Sequence, residues 1–207
     1  MTGEAAPSLR ERNRQAAREA VLDAAERLLQ ASAEADFSMK ALAAEAGVSF
    51  VTPFNHFGGK TQIIQALSTR VIGRMAERFR ASGVRGDAVD SVLGMSRIAA
   101  GLLLERQGLY KAVVGSLGVI NPAPSAVWAR SRDLWALALG DLSGLAAERG
   151  VGGAEIAAQL ALGFRGCLSF WIAGEIADDD LARAAEAASA AALLGFAEPK
   201  RRAPLLK

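Results

Sequence analysis

Apolar residues recur at helical spacing along almost the whole chain, and only glycine clusters and six prolines interrupt them. Alternating, strand-like stretches are nearly absent, so the chain is expected to fold as packed helices. Hydrophobic residues make up 51% of the 207, enough to bury one large core or two small ones, which excludes disorder over the whole length. No internal repeat is present.

Ala17, Val21, Ala25 and Leu28 form one stripe with Leu22 and Leu29 beside it, and Asp23, Glu26, Arg27 and Gln30 take the other side, predicting a helix over 9–33. Ser38 is placed to cap a second helix that stops at Gly47, and Ser49 a third that runs through Phe57 to Gly58 and Gly59. A longer helix, 60–80, has Ile63, Ile64, Leu67, Val71, Met75 and Phe79 on its buried face and Arg70, Arg74 and Arg78 along another. Asp87 caps a helix to Glu105, and a shorter one follows Gly108. After a break at 121–124, further helices are expected over 125–149, 154–174 and 178–195. The basic tail 197–207 finds no core and is expected to fray. The predicted domains are 1–59, with a basic arm over 1–14, then 60–196, then the tail.

With 24 Lys and Arg against 22 Asp and Glu, the net charge of +2 excludes a polycation that coats nucleic acid indiscriminately. One cysteine, Cys167, and one histidine, His56, cannot build a disulfide or a closed zinc site, so no metal or cofactor is expected. Cys167 is read as an inert small hydrophobe. The first 19 residues carry charge and no apolar run, which predicts a cytoplasmic protein. The apolar stretch 156–173 contains Gln159 and Arg165, and a central arginine costs about 2.5 to 3.5 kcal/mol on insertion, so it reads as a buried interface helix rather than a membrane span.

A short helix, a Gly-Val turn and a second short helix make a helix-turn-helix arrangement. The segments AVLDAAERLL and FSMKALAAEAGVSFVTPFNHFGGKTQII resemble the amino-terminal DNA-binding domain of the tetracycline-repressor (TetR) family of bacterial regulators, over roughly residues 15–67. Gly47, Val48, Ser49, Thr52, His56, Phe57 and Lys60 match that family's pattern. Phe54 stands where tyrosine is common and keeps an aromatic core role, whereas Val51 and Pro53 depart. With Ser49 as cap, Pro53 falls at the fourth helical position and makes the start of the third helix irregular. A start at Thr52 removes the strain but leaves barely one turn.

The resemblance implies DNA contact by Ser38, Lys40, Ser49, Phe50, Val51, Thr52, Phe54, Asn55, His56 and Lys60. Independently of it, residues 37–80 carry six basic side chains and two acidic ones. Lys60 in the first turn of a helix opposes the macrodipole unless an anion, such as a phosphate, or solvent compensates it. Ser38 and Lys40 offer phosphate a hydroxyl and an ammonium. Phe50, Val51, Thr52 and Asn55 are placed for base edges, Asn55 pairing with adenine and apolar groups touching thymine methyls. His56 is assigned to phosphate by the family match, and Phe57 to the core. Arg10, Arg12, Arg14 and Arg18 either reach phosphate or the minor groove or are solvated.

The resemblance also implies a larger helical domain that dimerises and binds a small effector. Ala182, Ala184, Ala185, Ala187, Ala188, Ala190, Ala191 and Ala192 give the last helix small faces, so the last two helices are assigned to a two-fold four-helix interface. Tyr110, Trp128, Trp135, Phe164, Phe170 and Trp171 line either an effector cavity or the core. Arg165 needs a partner, either a carboxylate such as Asp141 or Glu148, one across the dimer, or an anionic effector. This half has no histidine, phosphate loop or paired carboxylates, which argues against catalysis. The expected function is sequence-specific binding of a near-palindromic double-stranded operator by a homodimeric repressor that an effector releases. A helical membrane-surface or adaptor protein is the alternative.

Overall fold

The structure is a computed structural model that describes residues 8–32, 36–118, 126–146 and 152–206. Among the described residues it is all-α: α1 (Leu9–Ala31), α2 (Met39–Glu45), α3 (Thr52–Phe57), α4 (Lys60–Ala81), α5 (Ala88–Glu105), α6 (Gln107–Gly115), α7 (Val127–Leu139), α8 (Gly153–Ile172), α9 (Asp178–Leu194) and α10 (Pro199–Leu205). The break expected at 121–124 and the glycine stop around 150 lie outside the described residues. The chain divides into two compact units, 1–67 and 68–207.

In the first unit, Ser8 and Glu11 form a reciprocal capping box that starts α1. Val21, Leu22, Ala25 and Leu29 of α1 are buried together with Phe37, Leu42, Ala43, Ile63, Ile64 and Leu67. Glu26, expected on the outer side, is also buried at 5% exposure. Ser38 Oγ accepts the Ala41 amide at 3.1 Å and caps α2. Gly47, at φ +65°, then takes the left-handed conformation that turns the chain toward α3.

The second unit is built around α5, α7, α8 and α9. Asp87 caps α5 by accepting the amides of Val89 and Asp90 at 3.0 and 3.2 Å. Met95, Leu103, Trp135, Leu160, Trp171, Leu181 and Leu193 are fully enclosed. Where α5 meets α9, two buried hydroxyls, Ser96 and Ser189, lie 2.8 Å apart. Ser96 donates its proton to the Val92 carbonyl at 3.0 Å, so Ser189 is the donor between them.

Two expectations fail here. The seventh helix does not run to Arg149 but stops at Leu139, where Gly140 (φ +55°) breaks it and Leu142 and Gly144 continue with positive φ. The tail does not fray. Ala146 N–H donates to Phe196 O at 2.7 Å and Glu198 N–H to Gly144 O at 3.0 Å, and α10 follows with Pro199 in its first turn. Arg201 Nη2 reaches Asp90 Oδ1 at 2.5 Å and Nε stands 2.9 Å from Asp87 Oδ2, which pins the tail to the start of α5.

Candidate nucleic-acid interface

The α2 to α3 segment builds its outer surface from a buried anchor. Helix α3 starts at Thr52, not after Ser49, which puts Pro53 in its first turn where no intrahelical amide bond is required. The irregular start expected from Pro53 is thereby corrected. The Pro53 side chain is buried, and α3 is six residues long. Ser49 shapes the preceding turn instead: its carbonyl accepts the Thr52 amide at 3.0 Å, and its hydroxyl lies 2.8 Å from Thr52 Oγ1.

With Pro53 turned inward, its neighbours face out. Phe50 is 55% exposed, Val51 57% and Phe54 39%, so Phe54 has no core role, contrary to expectation. The rings of Phe50 and Phe54 meet edge to face with centroids 5.4 Å apart. Asn55, Ser49, Ser38 and Lys40 are exposed as well, while Thr52, His56 and Phe57 are half-buried. The surface is apolar at its centre, with an amide beside it and hydroxyls and an ammonium on neighbouring segments. Such a surface can meet methyl groups and base edges and donate to phosphate.

Two cations expected at phosphate have protein partners. Arg18 Nη1 donates to the His56 carbonyl at 3.2 Å, with its guanidinium 4.2 Å from the Phe57 ring centroid, so it braces α1 against α3. Lys60 Nζ is hydrogen-bonded to Asp36 Oδ1 and lies 5.1 Å from the Phe37 ring centroid, and burial draws its pKa below the ordinary lysine value. Asp36 is therefore the anion at the start of α4. Neither Arg18 over Phe57 nor Asp36 beside Lys60 was legible in the sequence, because the partners stand 39 and 24 positions apart. Arg10, Arg12 and Arg14 lie exposed on the first turns of α1.

The residues considered for an effector do not converge. Trp135 and Phe164 pack edge to face in the core with centroids 5.6 Å apart. Trp171 is fully buried and donates through Nε1 to Asp178 Oδ1 at 2.7 Å, with Lys111 Nζ 4.8 Å above its ring. Trp128 is 47% exposed and Phe170 53%. Arg165, half-buried, donates through Nη2 to the Val114 carbonyl in the last turn of α6 at 3.2 Å. Asp141 is not its partner, being engaged with the Ser143 amide, and Glu148 lies outside the described residues. The end of a helix, whose carbonyls carry partial negative charge, takes the role expected of a carboxylate. Cys167 Sγ stands 3.6 Å from the Ala184 carbonyl, and burial raises its pKa. Tyr110 lines an open groove of about 540 Å³.

Among the described residues, no cluster of three His, Cys, Asp or Glu side chains is placed to hold a metal, and no helix is long and apolar enough to cross a membrane.

Residues 21–67 match the family described as bacterial regulatory proteins, tetR family. No curated protein matches the chain. Among solved structures, a TetR transcriptional regulator from Rhodococcus sp. RHA1 superposes with a TM-score of 0.73 at 22% identity, over 87% of this chain and 97% of that one. FadR of Thermus thermophilus, a TetR-family repressor solved with lauroyl-CoA, gives 0.70 at 22% identity, over 86% and 94%. SmeT, the repressor of the Stenotrophomonas maltophilia efflux pump SmeDEF, gives 0.62 at 23% identity, over 90% and 93%.

Proposed function

We infer that this chain, whose amino-terminal domain belongs to the tetR family of bacterial regulatory proteins, is a DNA-binding transcriptional regulator that works as a homodimeric repressor. The observation that carries the reading is the exposed face of Phe50, Val51, Phe54 and Asn55, held outward by the buried Pro53 inside the very segment that matches the family. Two copies insert α3 into successive major grooves of a near-palindromic operator. Ser38, Lys40, Ser49 and His56 hold the backbone, with Thr52 and Asn55 at base edges, and the Lys60 ammonium leaves its exposed pair with Asp36 for a phosphate.

Dimerisation is supported by α8 and α9. Leu162 and Phe170 are 54% and 53% exposed on α8, and Gly166, between them, leaves room for close approach. On α9, Ala187 and Ala191 are exposed one turn apart. A two-fold four-helix interface covers these faces. An effector bound in the second unit releases DNA by favouring a spacing of the two reading heads that does not fit the operator. That the FadR of similar fold was solved with lauroyl-CoA supports a small-molecule effector. A membrane-surface or adaptor role leaves the exposed α3 face without a use.

Selection of genomic fragments by the purified protein, followed by mobility shift and sedimentation, tests the proposal. A palindromic site bound by a dimer, with affinity falling steeply as salt rises, is the expected result. A monomer at micromolar concentration, or binding indifferent to sequence and salt, overturns it.

A further inference from the structure

Helix α1 is longer than the core it packs against. Residues 8–16, its cap and about its first two turns, are all exposed, Leu9 at 66%, and the helix begins to be covered only at Ala17. This free length carries Arg10, Arg12 and Arg14, and none of the three makes a hydrogen bond or ion pair among the described residues. The nearby acids are engaged elsewhere: Glu11 Oε2 accepts the Ser8 amide at 2.8 Å, and Glu19 Oε1 accepts from Gln15 at 2.7 Å. Cations at the start of a helix face the positive end of its dipole, an arrangement that an anion from outside relieves.

Arg18 fixes which side of α1 meets the reading segment, because its guanidinium lies 4.2 Å from the Phe57 ring centroid and donates to the His56 carbonyl at 3.2 Å. At about 100° per residue, Arg14 and Arg10 stand about 40° and 80° round from Arg18 and about 6 and 12 Å nearer the helix start, whereas Arg12 lies about 120° round the other way. Arg18, Arg14 and Arg10 therefore form one rail that continues from α3 into solvent, and Arg12 stands on the opposite side. We infer that Arg14 and Arg10 clamp DNA phosphates beside the groove that α3 enters, and that Arg12 does not. This rests on the regulator reading. The occupant is the same duplex, because the rail runs on from the helix that exposes Phe54 and Asn55 and its charge is opposite to that of the nucleic-acid backbone. Its target is phosphate rather than base edges. An α-helix is about 10 to 12 Å across and the minor groove about 6 Å wide, so this helical segment does not enter it as an extended arm does. Such contacts set the register of α3 on the duplex and carry no sequence information themselves.

Fluorescence anisotropy of the full chain tests this over a range of salt, on a labelled duplex carrying a site selected from genomic fragments and on a random-sequence duplex of the same length. Arg14→Gln and Arg10→Gln should each lower the slope of log affinity against log salt by about 1.8, because a dimer loses two contacts of about 0.9 each. Arg12→Gln removes the same charge from the same exposed turns and should change the slope by less than about half as much. Arg14→Lys should restore most of the loss, and no variant should alter the base preference. Neutral methylphosphonates placed singly should weaken binding of the parent at one or two phosphates per half-site, where the double variant Arg10→Gln and Arg14→Gln is indifferent. Helix content by circular dichroism is checked for every variant. Equal slopes for Arg12→Gln and Arg14→Gln, an altered base preference, or a methylphosphonate map shared by the parent and the double variant overturns the inference. If neither duplex binds, the regulator reading falls with it. Sequence-specific binding untouched by Arg10→Gln and Arg14→Gln retires the clamp alone, and arginine-dependent binding of both duplexes alike retires the regulator reading alone.

Discussion

The guanidinium of Arg18 lies 4.2 Å from the ring centroid of Phe57 and donates to the carbonyl of the residue before it, so one side chain of α1 holds both the core and the backbone of α3. A helix of six residues has little stability of its own. Arg18→Met, which retains length and apolar volume, should lower stability by about 1 to 2 kcal/mol. It should weaken binding to all operators alike. Denaturant midpoints and a binding-site profile check this, and a changed base preference at unchanged stability would place Arg18 on the DNA instead.

The edge-to-face pair of Phe50 and Phe54 predicts that methyl groups are read at the centre of each half-site. Replacing individual thymines of the selected operator by uracil deletes one methyl at a time. At one or two positions per half-site affinity should fall by about 1 kcal/mol, by the usual weight of a buried methyl group. Phe54→Ala should abolish the difference between thymine and uracil there. Asn55→Ala should instead relax preference for adenine by about 1 to 3 kcal/mol. If uracil is tolerated everywhere, the aromatic pair does not face the bases.

Acid should loosen the junction of α8 and α9. The Asp178 carboxylate accepts from Trp171 Nε1, its larger influence, and from Lys111 at 3.0 Å, and both hold its pKa below the ordinary aspartate value. The folded state therefore binds this proton less readily than the unfolded chain. The stabilisation is complete above the unfolded value, about 3.9, and is lost as pH falls through the lowered folded value. Thermal melts taken below about pH 4 should fall more steeply with acid in the parent than in Asp178→Asn. Parallel slopes would remove Asp178 from the account.

Arg201 and Gly144 converge on Asp87 from two sides. Gly144 has φ +82°, and a Cβ built on it would come 2.3 Å from Asp87 Oδ2, so Gly144→Ala strains the backbone and displaces the carboxylate. A loss of roughly 1 to 3 kcal/mol is expected. Arg201→Ala removes the partner of Asp87 and Asp90 and should release α10. The double variant should lose less than the sum of the two single ones, because both act through Asp87. Strict additivity by chemical denaturation would show that the two contacts are independent.

Features carried by neighbours in sequence were legible, and those carried by distant pairs were not. Ser38 and Asp87 announce helix starts because a short oxygen side chain satisfies amides two or three residues ahead. Ser49 misled for the same reason, offering an oxygen in the right place, and only the cost of a proline inside a helix moves the start to Thr52. Gly140 stood within an apolar repeat that Leu142 and Leu145 continue, so the pattern ran on past the true end of α7. The tail seemed to lack a core because Arg201 is held by two carboxylates more than 110 positions earlier. The outward set of α3 follows from its amphipathic pattern once Pro53 is known to point inward, whereas the groove at Tyr110 depends on three helices meeting.

The buried hydroxyls of Ser96 and Ser189 act as a register pin. Sliding α9 along α5 by even one residue would leave Ser96 bonded to Val92 but strip the Ser189 hydroxyl of its acceptor in an apolar seam, at a cost of about 1 to 3 kcal/mol. A penalty of that size disfavours register-shifted positions by roughly 5- to 150-fold, so α5 and α9 should move together rather than slide. A shift imposed on the outer face of α9 should therefore carry α5 with it, and with α5 the Arg78 to Glu105 contact at that helix's far end.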